Sequence, residues 1–103
     1  MTIVETYLRS LQGKIFKLLP MREAYDKGTD NHLLDYIDNL CSSFDGAFVC
    51  YPELSNIREM AEVQSNVFAL RENLELDFNK WRSTVLRSTR HIQTILTRDY
   101  GEV

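Results

Sequence analysis

The sequence predicts an all-α protein, an antiparallel up-down four-helix bundle. Three observations predict it. Apolar residues recur at alternating steps of four and three along most of the chain, which keeps them on one stripe of a helix. Only two prolines and four glycines occur, too few for many short strands joined by tight turns. Hydrophobic residues make up 44% and charged residues 26%, the usage of a chain that buries a core. A chain of 103 residues has room for one core and not two, so residues 1-103 are read as a single helical-bundle domain.

The first helix should start at Thr2, which stands in capping-box spacing with Glu5. Val4, Leu8, Leu11, Ile15 and Leu18 form its stripe, and Ile3, Tyr7, Phe16 and Leu19 widen it. Gly13 costs a helix interior about 1 kcal/mol relative to alanine, so it is expected at a close helix crossing. Pro20 disfavours helical geometry at Leu19, and the helix either ends near Leu18 or kinks and runs on through Met21 and Tyr25 to Gly28. The kinked continuation is favoured.

Gly28 supplies a stop, and Thr29 and Asp30 supply a new N-cap. Leu33, Ile37, Leu40, Phe44, Ala47 and Tyr51 then follow in unbroken alternation of four and three, with Asp35, Asp38, Ser42 and Asp45 on the opposite side. The run from Gly46 to Tyr51 also suits a short buried strand. Helix is preferred there, because a lone strand would have no partner in this sequence.

Pro52 should open the third helix, where its missing N–H does no harm. Leu54, Ile57, Met60, Ala61, Val63, Val67, Phe68 and Leu70 carry it to about Asn73, on a broader and less regular stripe, with Gln64 at its flank. Asp77 caps the fourth helix, and Leu76 and Trp81 have the spacing of a hydrophobic staple around it. Phe78, Trp81, Val85, Ile92, Ile95 and Leu96 face the core as far as Tyr100, with Ser88 and Thr89 as small members. Trp81 and Phe44 should matter most to stability, about 3 to 5 kcal/mol each on truncation to alanine.

Charge is segregated. Residues 1–20 carry a net +2, residues 21–77 a net −8 and residues 78–103 a net +3, which sum to the overall −3. In an up-down bundle the first and last helices are neighbours, so Arg9, Lys14 and Lys17 could join Lys80, Arg82, Arg87, Arg90 and Arg98 on one basic side. Such a surface could contact nucleic-acid phosphates. The acidic middle helices could instead engage a basic protein. Opposite charge on the helices could also do no more than favour the correct bundle topology. An acidic chain with pI near 5.3 is a poor general phosphate binder, which ranks nucleic acid below a protein partner.

No pattern of reactive residues stands out. Asp30, His32, Asp35 and Asp38 gather near the start of the second helix, but the Glu-x-x-His pairs of di-metal bundles are missing, and a surface histidine beside capping aspartates accounts for the group. Arg87 and His91 stand closer together than the arginine and histidine of RNA-cleaving helical bundles. Cys41 and Cys50 are nine residues apart, on opposite sides of one helix, so they cannot bridge within it. Both are read as reduced, with Cys41 in the core. Neither has a neighbour that would activate it, and no Gly-rich phosphate loop or nucleophile elbow occurs.

The expected function is therefore non-enzymatic, without cofactor or metal. With no signal-peptide pattern and no long apolar run, the chain is expected to be soluble and cytoplasmic, and not to engage membranes. Its general look is similar to small adaptor, inhibitor and immunity proteins of bacteria and their phages, a likeness of fold class alone. A protein partner, another copy or a different chain, would meet Tyr7, Phe16, Tyr25, Tyr36 and Phe48 at the stripe edges, with Asp35, Asp38 and Asp45 beside them. A homodimer is the simplest version.

Overall fold

The computed structural model describes residues 2–101, which are almost wholly helical and contain no strand. Helix α1 (Ile3–Phe16) begins where the Thr2 hydroxyl accepts the Glu5 backbone N–H at 3.0 Å. The reciprocal half of the capping box is replaced by an ion pair, the Glu5 carboxylate lying 3.7 Å from Arg9. One residue, Lys17, separates α1 from α2 (Leu18–Asp26), and it keeps right-handed helical angles. The break falls at this point because Pro20 has no N–H for the Phe16 carbonyl, and its ring crowds that carbonyl one turn upstream. The chain thus continues past Pro20 with an offset at Lys17.

Helix α3 (Leu33–Cys50) starts three residues beyond the Asp30 cap expected from sequence. Asp30 accepts the His32 N–H at 2.8 Å, which closes a tight turn ahead of the helix instead of capping it. At the other end, residues 46–50 are helical. Pro52 does not open an α-helix either. It begins a 3-10 turn (Pro52–Asn56) that buries Leu54, after which Ile57 is extended at φ −94°, ψ 112°. Helix α4 (Arg58–Glu72) starts only there. Helix α5 (Phe78–Tyr100) has the expected cap, Asp77 accepting the Lys80 N–H at 3.0 Å, and ends on Gly101 in the left-handed region at φ 68°.

Each helix packs against the next in sequence, and α5 returns to lie along α1. The core is continuous. Val4, Leu8, Leu11, Ile15 and Leu18 meet Leu33, Ile37, Leu40, Phe44 and Ala47, with Met60, Val63, Val67 and Leu70 from α4 and Trp81, Val85, Ile92, Ile95 and Leu96 from α5. Trp81 and Phe44 are its largest fully buried side chains. Ser88 and Thr89 fit among them because their hydroxyls donate to the Thr84 and Leu86 carbonyls, at 3.0 and 2.9 Å. The whole measures 39 × 26 × 20 Å, with a radius of gyration of 13.8 Å, close to the roughly 13 Å usual for this length.

Two side chains expected to widen the α1 stripe do not. Ile3 is 71% and Phe16 44% exposed, because each lies about 100° round the helix from the stripe's centre. Gly13 is not at a close crossing. It is exposed, and a Cβ built on it meets nothing within 4 Å.

Candidate functional site

The broad apolar stripe of α4 resolves into two rows. Met60, Val63, Val67 and Leu70 are buried in the core. Ile57, Ala61, Gln64 and Phe68, spaced by four, three and four, form a second row that faces outward beside α3. Phe48 of α3 stands across from this row, half-buried. Between the helices lies a groove of about 300 Å³, lined by Phe48, Leu54, Ser55, Ile57, Arg58, Met60, Ala61 and Gln64. Phe68, 42% exposed, follows on the same face of α4 one turn beyond Gln64. The extended Ile57 and the 3-10 turn make the hollow, since they seat Leu54 beneath its end, and the small side chain of Ala61 leaves the middle open.

Of α3, Phe48 lines the groove. Asp35, Asp38 and Asp45 are exposed, and the helix contains no lysine or arginine. Asp38 reaches across to Arg71 of α4 at 2.8 Å. Arg58 is the one charged side chain that lines the groove.

Of the aromatic side chains expected at a partner surface, only Phe16 is largely exposed. Tyr7, Tyr25, Tyr36 and Phe48 pack against the core. Tyr7 tilts against Tyr51 with ring centroids 5.4 Å apart. Its hydroxyl is buried without a hydrogen-bond partner among the described residues, and burial first, then the nearby Tyr51, pushes its pKa up to about 12. The Tyr36 hydroxyl donates to the Lys14 carbonyl at 2.9 Å, and burial raises its pKa. Val49, which no sequence signal marks, is 79% exposed, and Leu76, expected as the staple partner of Trp81, is 36% exposed.

The structure does not gather all the expected basic residues on one face. Arg98 is held between Glu59 of α4 and Asp99, donating to Glu59 Oε1 at 3.1 Å and to Asp99 Oδ1 at 2.8 Å. Hydrogen bonds from Arg98 hold both carboxyls below their usual range. Lys80 turns toward Asp77 at 4.0 Å, and Arg9 toward Glu5. Lys14, Lys17, Arg82, Arg87 and Arg90 are exposed.

His91 Nε2 lies 2.9 Å from a Glu62 carboxylate oxygen, a contact between α5 and α4. Among the described residues, no three histidine, cysteine, aspartate or glutamate side chains come together as ion ligands would. Cys41 is buried, which raises its pKa, and Cys50 is exposed. No described helix is long and apolar enough to cross a membrane.

The chain matches no protein-family model, no curated protein and no solved structure.

Sequence alone assigns the groove residues Ile57 and Ala61, and Phe68 beyond the groove, to the core stripe. Their own alternation of four, three and four, offset from that of Met60, Val63, Val67 and Leu70, was the signal that two faces of α4 are apolar.

Proposed function

We propose that this chain is a non-enzymatic interaction module, a small cytoplasmic adaptor, inhibitor or complex subunit, that offers a helical surface to a protein partner. The scaffold in this reading is an antiparallel up-down four-helix bundle, with α1 and α2 together as its first member. Cross-helix pairs support it. Glu59 meets Arg98, Glu62 meets His91, and the Leu70 carbonyl accepts Trp81 Nε1–H, so partners descend along α5 as they ascend along α4. Likewise Gln12 donates to the Thr89 carbonyl at 3.1 Å, and Arg22 to the Leu76 carbonyl at 2.7 Å.

The α3–α4 groove carries the functional reading. It exposes apolar side chains in a concave row between two rigid helices, the form in which helical surfaces are recognised. Size-exclusion chromatography with light scattering, together with affinity capture, tests it on the wild type and on Ala61→Arg, which fills the groove from an exposed helical position. A stoichiometric complex, with itself or another protein, that Ala61→Arg disrupts is the expected result. A strict monomer with no stoichiometric partner would overturn the reading.

A second reading rests on Lys14, Lys17, Arg82, Arg87 and Arg90, which leave α1 and α5 exposed and basic. Under it the protein is a small nucleic-acid-associated subunit. Binding would then fall steeply with salt, and Arg87→Glu with Arg90→Glu would abolish it. No shift in a low-salt binding assay retires this alternative.

A further inference from the structure

We infer that the exposed face shared by α1 and α5 binds single-stranded nucleic acid, with the Phe16 ring as the platform on which a base stacks, an inference that rests on the nucleic-acid reading and names its ligand. No carboxylate occurs from Thr6 to Arg22 or from Phe78 to Arg98. Lys17, Arg82, Arg87 and Arg90 are exposed, and none of the four has a carboxylate partner among the described residues. Phosphates would therefore meet cations whose charge no neighbour has neutralised.

The Gln12 side-chain amide fixes how the two helices lie side by side. It donates to the Thr89 carbonyl at 3.1 Å and to Gln93 Oε1 at 3.3 Å, and further along the chain Arg22 reaches the Leu76 carbonyl. Phe16, one turn beyond Gln12 on the same flank of α1, thus comes level with Val85 and Leu86. It is 44% exposed. Along the adjoining flank of α5, Arg82, Leu86, Arg90, Gln93 and Thr97 follow one another at helical steps of four and three, which sets an arginine to either side of the ring's level. The row runs into a shallow hollow of about 400 Å³ lined by Arg90, Gln93, Thr94, Thr97 and Arg98, and amide and hydroxyl groups of this kind position phosphates and sugars. Arg98 is already held by Glu59 and Asp99, so Arg90 supplies the uncommitted charge. From Arg82 to Thr97 the row extends about 22 Å at 1.5 Å per residue, the length of about four to six nucleotides at 3.4 Å or somewhat more each.

Three other occupants fit this face less well. A duplex keeps its bases stacked inside and would leave Phe16 against backbone. A lipid surface takes up rows of apolar side chains, whereas this face sets Phe16 and the half-buried Leu86 among its cations, and the exposed Ile3 lies on the other flank of α1, with Tyr51. The most acidic helix of a second copy is α3, where Arg71 engages Asp38 and leaves Asp35 and Asp45 to face four cations. The chain's overall charge of −3 does not oppose a strand here. Helix α3 packs on α2 and α4 and not on α5, across a body 20 to 26 Å thick, and charge is felt over only about 8 Å at physiological salt.

Fluorescence anisotropy on the full chain tests the inference with three labelled probes. They are a mixed-sequence DNA single strand of about 12 nucleotides, its duplex, and an abasic strand of the same length, which keeps the phosphates and lacks the rings. The single strand should bind saturably at low salt, with log affinity falling linearly against log salt, and at least about fivefold more tightly than either of the others. Phe16→Leu should cut that affinity about fivefold or more and leave the abasic strand's unchanged, and Phe16→Tyr should keep it, since one ring replaces another. Arg82→Glu with Arg90→Glu should abolish binding of every probe. All variants should keep the wild-type circular dichroism.

Binding of the single strand that is indifferent to Phe16→Leu would overturn the inference. So would a salt-sensitive oligomer of the free protein that the arginine reversal dissolves, because the face would then belong to a second copy. If the three probes bind equally and the arginine reversal removes them all, the nucleic-acid reading stands and the stacking platform is wrong. If no probe binds at low salt, both fall.

Discussion

The Arg22 guanidinium lies over the Trp81 ring, 5.1 Å from its centroid, and ties α2 to α5. Arg22 is 5% exposed. It donates through Nε to both Asp26 carboxylate oxygens, at 3.0 and 3.1 Å, and through Nη2 to the Leu76 carbonyl at 2.7 Å. One side chain therefore joins α2, the loop before α5 and the central indole.

Arg22→Ala should destabilise the fold by about 2 to 3 kcal/mol, from lost charge-assisted hydrogen bonds and the cation–π contact. Arg22→Lys should recover little, since an ammonium cannot reproduce the planar fork. Urea unfolding of the three proteins measures both.

Glycine 13 and glycine 46 lie inside α1 and α3, and an added Cβ meets nothing at either. Gly13→Ala and Gly46→Ala should each stabilise by about 0.5 to 1 kcal/mol, by restricting the unfolded chain. A raised urea midpoint with an unchanged slope is the expected signature.

Arg98 holds the Glu59 carboxyl below its ordinary value of 4.5. Above that value Glu59 is ionised in both the folded and unfolded states, and the stabilisation is complete. As pH falls below 4.5 toward the lowered folded value, unfolded chains take up the proton first and stability declines. Glu59→Gln should lower stability at neutral pH and flatten this acid decline, as thermal melts between about pH 6 and pH 3 would report.

Tyr7 has the opposite sign. Its folded pKa of about 12 lies above the ordinary 10.0, so its contribution is whole below 10 and lost as pH rises through the folded value. Tyr7→Phe removes a buried hydroxyl that has no hydrogen-bond partner among the described residues. It should stabilise the protein by about 1 kcal/mol and erase this part of the alkaline decline.

Local alternation of apolar residues made most of the fold legible. Leu33 through Ala47 are buried at every position the spacing indicates, because a helix with one wet and one dry face leaves that alternation no other use. The Asp77 cap was equally plain. What sequence did not show depends on contacts between segments. Pro52 suits a helix start, yet burial of Leu54 holds the next residues in a 3-10 turn. Tyr7, Tyr25 and Tyr36 sat at the edge of their stripes, and only packing from neighbouring helices decides that such edges are covered. The groove was hidden by the same ambiguity, since Ile57, Ala61 and Phe68 are as apolar as their core neighbours.

Trp81 is the chain's single tryptophan, fully enclosed, with Nε1–H donating to the Leu70 carbonyl at 3.1 Å. The molecule thus carries one indole, which long-wavelength light excites apart from the five tyrosines, at the corner where α2, α4 and α5 meet and away from Phe48 and Ala61. Its emission gauges the integrity of that corner without any attached dye. A variant that silences binding while leaving this colour untouched has lost its surface and kept its architecture.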